Sequence, residues 1–137
     1  MVVDVVLGSG PYNEQVIFPA VLNTSSTNTI TINGNGNTLT FGATVSTAPS
    51  TLELNGTDYM IINNLNIVGT GATYAFAGHL WNNADNNQIN NCTFTVNPNL
   101  STSVVVPFSI SGSVSSATTT GLSGINNVCL LYTSRCV

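Results

Sequence analysis

Sixteen residues from Leu52 to Ile67 recur without a gap as His79 to Phe94, at an offset of 27 residues. Asn55/Asn82, Asp58/Asp85, Ile62/Ile89, Asn63/Asn90 and Asn64/Asn91 coincide, while Leu54/Trp81, Leu65/Cys92 and Ile67/Phe94 keep apolar character. A weaker copy precedes, with Thr29–Gly34 before a turn and Thr38–Phe41 after it. Another follows in Phe108–Gly112 and Ile125–Val128. Each copy is strand, polar turn, strand. A unit this short cannot bury its apolar side alone, so it must stack on its neighbours. Stacked at about 4.8 Å, the strands satisfy one another's backbone groups and gather alternate side chains into an inner column. The expected fold is therefore an all-β solenoid. Leu52, Leu54, Ile62, Leu65, Ile67, Ile89, Cys92 and Phe94 are expected to point inward, with Ile62 directly beneath Ile89. Recurrent Asn-Asn before an inward residue suits amide ladders or left-handed turn positions.

An antiparallel sandwich of short strands shares the same alternation. It gives no reason for turn residues to repeat along with strand residues, so the solenoid is preferred. Composition agrees: Thr favours strands, Asn and Ser favour turns, and none suits a helix interior. No stretch combines apolar residues at helical spacing with caps. At 42% hydrophobic residues the chain has material for a core and is not expected to be disordered.

Only 4% of the residues are charged, against roughly a quarter in ordinary domains. The sole basic residue is Arg135. A chain so poor in cations cannot neutralise phosphates or an anionic bilayer surface, which argues against nucleic acid and membrane partners. No apolar run approaches the roughly 18 residues of a membrane span, so no membrane insertion is expected. A chain without Lys is unusual in the cytosol, and an extracellular or cell-surface location is expected. The segment Met1–Leu7 lacks the basic start and cleavage site of a signal peptide, which puts any export signal outside it.

Residues 129–137 break the Asn/Thr/Ser style and hold two of the three cysteines. They resemble a translated transposon end of the kind used in sequencing-library preparation. The expectation is a truncated set of coils over 1–128, followed by a non-native tail over 129–137, with the rest of a longer chain as a natural partner. The competing view is a true C-terminal strand with Cys129 and Cys136 paired or binding metal. Cys92 is then the only other thiol, best read as a small buried hydrophobe.

The opening Val5-Val6-Leu7-Gly8-Ser9-Gly10-Pro11-Tyr12-Asn13-Glu14-Gln15-Val16-Ile17-Phe18-Pro19 resembles the first coil of pectin-lyase-like right-handed parallel β-helices: apolar strand, Gly turn, Tyr-x-Glu, and a second strand closed by Pro. Asn28–Phe41, with Gly34 and Gly36, is similar to the following coil of that family. The resemblance covers roughly residues 2 to 128 and implies a right-handed parallel β-helix of N-terminal coils only. It implies a structural hydrogen bond at Glu14. Members include pectin esterases, polysaccharide lyases and large secreted bacterial surface proteins without known catalysis. The Leu-x-Leu-Asn-Gly-x-Asp-Tyr wording is most similar to the last group.

Carbohydrate chemistry on such a fold needs charge: clustered carboxylates, often with Arg or Lys. The five acids are Asp4, Glu14, Glu53, Asp58 and Asp85, too few and too scattered for an enzyme complete in this segment, and no catalytic residue is assigned. Asp58 and Asp85 share one corner of adjacent coils. Two readings stand: a surface calcium site, calcium then being the one cofactor expected, or solvated Asp residues bonding to their own turns. His79, the only histidine, is expected at a turn or strand edge. Tyr74, Phe76 and Trp81 lie close together, and exposed aromatics stack on sugar rings; the alternative is that they cover the core. Thr-x-Thr pairs raise ice binding, but irregular coil lengths disfavour a flat array. The expected function is a non-catalytic spacer or adhesive surface that meets polysaccharide or cell-surface glycan. The alternative is the N-terminal part of a polysaccharide lyase, esterase or hydrolase whose catalytic coils lie elsewhere.

Overall fold

A computed structural model describes residues 1–100, 104–121 and 124–130. Its first turn carries β1 (Val2–Asp4), β2 (Tyr12–Asn13) and β3 (Val16–Pro19); the second carries β4 (Ile30–Asn33), β5 (Thr38–Phe41) and β6 (Ser50–Asn55). The third carries β7 (Met60–Asn63), β8 (Asn66–Gly69) and β9 (Ala75–Trp81); the fourth carries β10 (Gln88–Asn90), β11 (Thr93–Val96) and β12 (Val105–Ile110), after which comes β13 (Val128–Leu130). Every third strand stacks on its equivalent, giving three sheets: β1-β4-β7-β10-β13 (sheet A), β2-β5-β8-β11 (sheet B) and β3-β6-β9-β12 (sheet C). All strand pairs within them are parallel. The chain is thus a parallel β-solenoid of about four turns.

Ile62 pairs with Ile89 and, on the other side, with Ile32, so matched positions are vertical neighbours as the repeat requires. All eight residues expected inward belong to one core cluster, together with Leu39, Met60, Ala77, Leu80, Ala84 and, more loosely, Tyr12, Val16, Phe18 and Phe108. Strand alternation does this directly, since outside β9 every second side chain of a short strand enters the lumen.

One pairing differs from the sequence alignment. On sheet C the offset is 26, so Leu54 lies beside Leu80 and it is Asn55 that meets Trp81. Pairing Leu54 with Trp81 would have turned β9 over, because a slip of one residue exchanges the two faces of a strand. The extra residue is absorbed at the next corner, where Asn82 and Asn83 both take left-handed backbone (φ 55° and 61°). Beyond it the 27-residue spacing resumes.

Corners are built from asparagine. Asn35, Asn64 and Asn91 occupy left-handed conformations in successive turns (φ 51°, 57° and 52°), which Asn tolerates better than other non-glycine residues. On sheet A the amide of Asn33 donates to Asp4 (2.6 Å), that of Asn63 to Asn33 (2.9 Å) and that of Asn90 to Asn63 (3.0 Å). A second set, deeper than the first, ties the later turns together. The Asn87 side chain accepts from the Met60 N–H and donates to the Thr57 carbonyl, and Asn127 repeats both bonds one turn later, with the Asn87 N–H and the Ala84 carbonyl.

An aromatic pair, Phe94 and Phe108, packs in the lumen with ring centroids 4.9 Å apart. Gly78 makes room for it: a β-carbon there would lie 2.3 Å from Phe94 and 2.7 Å from Phe108. Gly78→Ala is expected to cost about 1–3 kcal/mol by overpacking, read as a lower urea midpoint at unchanged slope. An unchanged midpoint would show that the two rings are free to move aside.

Cys129 and Leu130 lie in β13, stacked on Ile89 and Asn90, and Cys129 packs against the core. An open parallel edge pairs with whatever chain follows it, so this docking is compatible with either origin of the segment. Residues 131–137, including Cys136, lie outside the described residues. At the first turn it is the Glu14 main chain that bonds, its N–H donating to Thr40 (2.9 Å).

Candidate functional site

Tyr74, Phe76 and Trp81 are dispersed along the chain. Tyr74 to Trp81 spans seven residues of extended chain, roughly 23 Å, too far for one continuous surface. Phe76 is fully buried. The reason is a break in alternation on β9: Ala77, Gly78 and Leu80 all face the lumen, which sends Phe76 and His79 to the outer face. There the segment after β12 folds back, held by Ser109 Oγ donating to Ala117 and Ser111 Oγ donating to Ser113. Trp81 is half-buried, with its indole N–H on the Glu53 carboxylate (2.7 Å) and its ring stacked on His79. Tyr74, just before β9, is half-buried as well.

His79 is a central-strand residue, which corrects the expected turn or strand-edge position. Fully buried, it lies edge-on to Phe76, with Nε2 and the Ser111 hydroxyl 2.9 Å apart and Nδ1 and the Ser50 hydroxyl 3.4 Å apart. Burial lowers its pKa to about 4, so the neutral ring is the native form. A serine hydroxyl against an imidazole is the beginning of a nucleophile. Here both groups are shut from solvent, and they serve to clamp the second, third and fourth turns together. Cys92 is likewise enclosed in the lumen, its thiol pKa raised by burial.

Asp58 and Asp85 do stand at one corner of adjacent turns. Asp58 accepts the Asp85 N–H (2.8 Å), and Asp85 accepts the N–H groups of Gly124 (2.9 Å) and Ile125 (2.8 Å). Each carboxylate therefore caps the turn above it rather than its own. Among the described residues no three His, Cys, Asp or Glu side chains converge as a metal cluster.

A concave polar site does occur on the outer face of sheet A. It is a cleft of about 230 Å³ lined by Ser26, Thr29, Tyr59, Ile61, Asn86, Gln88 and Asn126. Ile61 and Gln88 are register partners in the outward row of β7 and β10. Tyr59, Asn86 and Asn126 stack at the corner before that row, all with left-handed backbone (φ 55°, 58° and 55°), and the Asn126 amide donates to Asn86 (3.2 Å). Ser26 and Thr29 come from the connection leading into β4. The lining offers amides, hydroxyls, one aliphatic face and one phenol ring, and carries no charged group. These groups donate and accept hydrogen bonds without charge, and the Asn86 and Asn126 amides stand one rung, about 4.8 Å, apart along the solenoid axis.

Neither Tyr59 nor its neighbours stood out in the sequence as a site. The signal was present in the repeat, which sets Tyr59 over Asn86 and Ile61 over Gln88. Comparison with family models, with curated proteins and with solved structures gives no match to this chain.

Proposed function

We propose that this chain is a non-catalytic, glycan-binding module of the pectin-lyase-like parallel β-helix type, belonging to an extracellular or cell-surface protein. The sheet A cleft is where a neutral polysaccharide binds. The observation that carries the reading is the cleft itself: a ring at Tyr59 beside the amides of Asn86, Gln88 and Asn126 and the hydroxyls of Ser26 and Thr29, with no charge to favour acidic sugars. A neutral glycan lying along the axis meets the Asn86 and Asn126 amides on successive rungs, while one pyranose face rests on Tyr59. The first-coil resemblance and the scarcity of Lys and Arg support the family type and the location.

Tyr59→Asn separates binding from folding. A left-handed conformation is strained for Tyr and tolerated by Asn, so the variant is expected to be more stable by up to about 1 kcal/mol. Loss of the ring is expected to weaken binding to a neutral polysaccharide at least tenfold, measured by affinity electrophoresis or calorimetry. Undiminished binding by the variant, or preference of the wild type for polygalacturonate over neutral chains, would remove the cleft as the site.

A further inference from the structure

The outer face of sheet B carries a threonine pattern that the cleft on sheet A does not use. Its outward side chains form two files across the turns, Thr38-Asn66-Thr93 and Asn13-Thr40-Val68-Thr95, with register partners in every adjacent strand. Irregular coil lengths were expected to disfavour a flat array, and here the structure corrects the expectation. Equivalent positions on sheet B are 27, 28 and 27 residues apart, whereas on sheet C they are 36, 26 and 30 apart. Behind the face Leu39, Ile67 and Phe94 pack into the core and hold the strands in place. The β-branched side chains are stiff, so their hydroxyls and methyls stand at set positions, about 4.8 Å apart along the axis and about 6.6 Å apart along a strand. Asn13 and Thr95 are exposed, the other five are half-buried, and none of the seven is charged. What separates this face from the other two is that its hydroxyls are left over. Among the described residues, the side chains of Thr38, Thr40 and Thr95 bond to no protein group. The sheet C hydroxyls of Ser50, Thr51, Ser109 and Ser111 are all engaged, and the sheet A amides of Asn33, Asn63 and Asn90 bond to one another.

We infer that the sheet B face binds the surface of ice. A partner for this face has to be neutral, has to repeat in two directions, and has to offer a donor or an acceptor to each hydroxyl, since a threonine hydroxyl is both. A single glycan chain repeats along one line only. An ice face meets all three demands: its oxygens lie in rows with one short and one longer repeat close to the two spacings of the array, and every oxygen donates or accepts. The threonine methyls and Val68 lie between the hydroxyls, where the water that surrounds apolar groups is already restricted in orientation. Because the array is rigid before contact, little side-chain freedom is lost on binding. The site is independent of the sheet A cleft.

The test holds a single ice crystal in a solution of the full chain and compares its melting and freezing temperatures. Expected are a freezing point below the melting point, faceted crystals, and enrichment of the chain in slowly grown ice. Val68→Thr, an exchange of near-constant shape that adds the missing hydroxyl to its file, widens the gap between the two temperatures. Thr40→Lys raises a charged side chain out of the plane at an outward position and closes the gap, with the urea midpoint of each variant reporting that the solenoid is intact. Tyr59→Asn leaves the gap unchanged. Exclusion of the wild-type chain from growing ice, at the level of an inert control protein, overturns the inference. So does a folded Thr40→Lys chain that keeps the wild-type gap, or retention on microcrystalline cellulose without uptake into ice, which would make the face a glycan surface.

Discussion

Asn87→Leu lowers the unfolding free energy by about 3 kcal/mol or more. The leucine fits the space but strips partners from two buried backbone groups, the Met60 N–H and the Thr57 carbonyl. Each orphaned group costs about 1–3 kcal/mol, because water cannot reach it in the folded state and does so freely in the unfolded one. Asn63→Ala is the contrasting case. Its ladder bonds to Asn33 and Asn90 lie at a partly exposed edge, where water replaces them and the loss stays near 1 kcal/mol. Urea unfolding of both variants decides the matter. A midpoint for Asn87→Leu equal to that of Asn63→Ala would show that the inward amides are not what joins one turn to the next.

Acidification is the second large effect. The His79 pKa is about 4 in the folded chain and near 6.5 when unfolded, so between those values the unfolded state binds the extra proton. Stability is therefore complete above pH 6.5 and is lost as pH falls toward 4. The loss is about 2 kcal/mol at pH 5 and reaches about 3 kcal/mol at the bottom of the window. The cause is desolvation of a ring enclosed by Phe76, Trp81 and the two serine hydroxyls. His79→Gln removes the titration and is expected to flatten the melting temperature across this range, even though the variant starts lower at pH 7. A wild-type melting temperature that does not move between pH 7 and 5 would mean that His79 is reached by water.

These two residues show how differently the parts of the fold were written in the chain. The inward amide at Asn87 lies within the repeat, and the backbone to which it bonds is fixed by the same stacking that pairs Ile62 with Ile89. His79 lies within the repeat as well, yet its surroundings do not. Its hydroxyl partners come from positions 29 residues before and 32 after, and the cover on its face is a segment without a counterpart in the other turns. The cleft has the same character. Tyr59 and Gln88 follow from the period, but Ser26 and Asn126 reach the same groove from ends of the sequence 100 residues apart.

The sequence by itself determined the period, the alternation and the corner residues, and with them the stacking of turns and the contents of the lumen. These are local or strictly repeating features: a two-residue strand period and a fixed coil length leave one economical way to bury the apolar side. The tertiary structure decided the sheet C register, in which a one-residue excess is absorbed by Asn82 and Asn83. It also decided which outer faces are covered and which stay open. Both depend on how non-repeating connections of unequal length settle against a finished column, and that is set by packing between residues far apart in the chain.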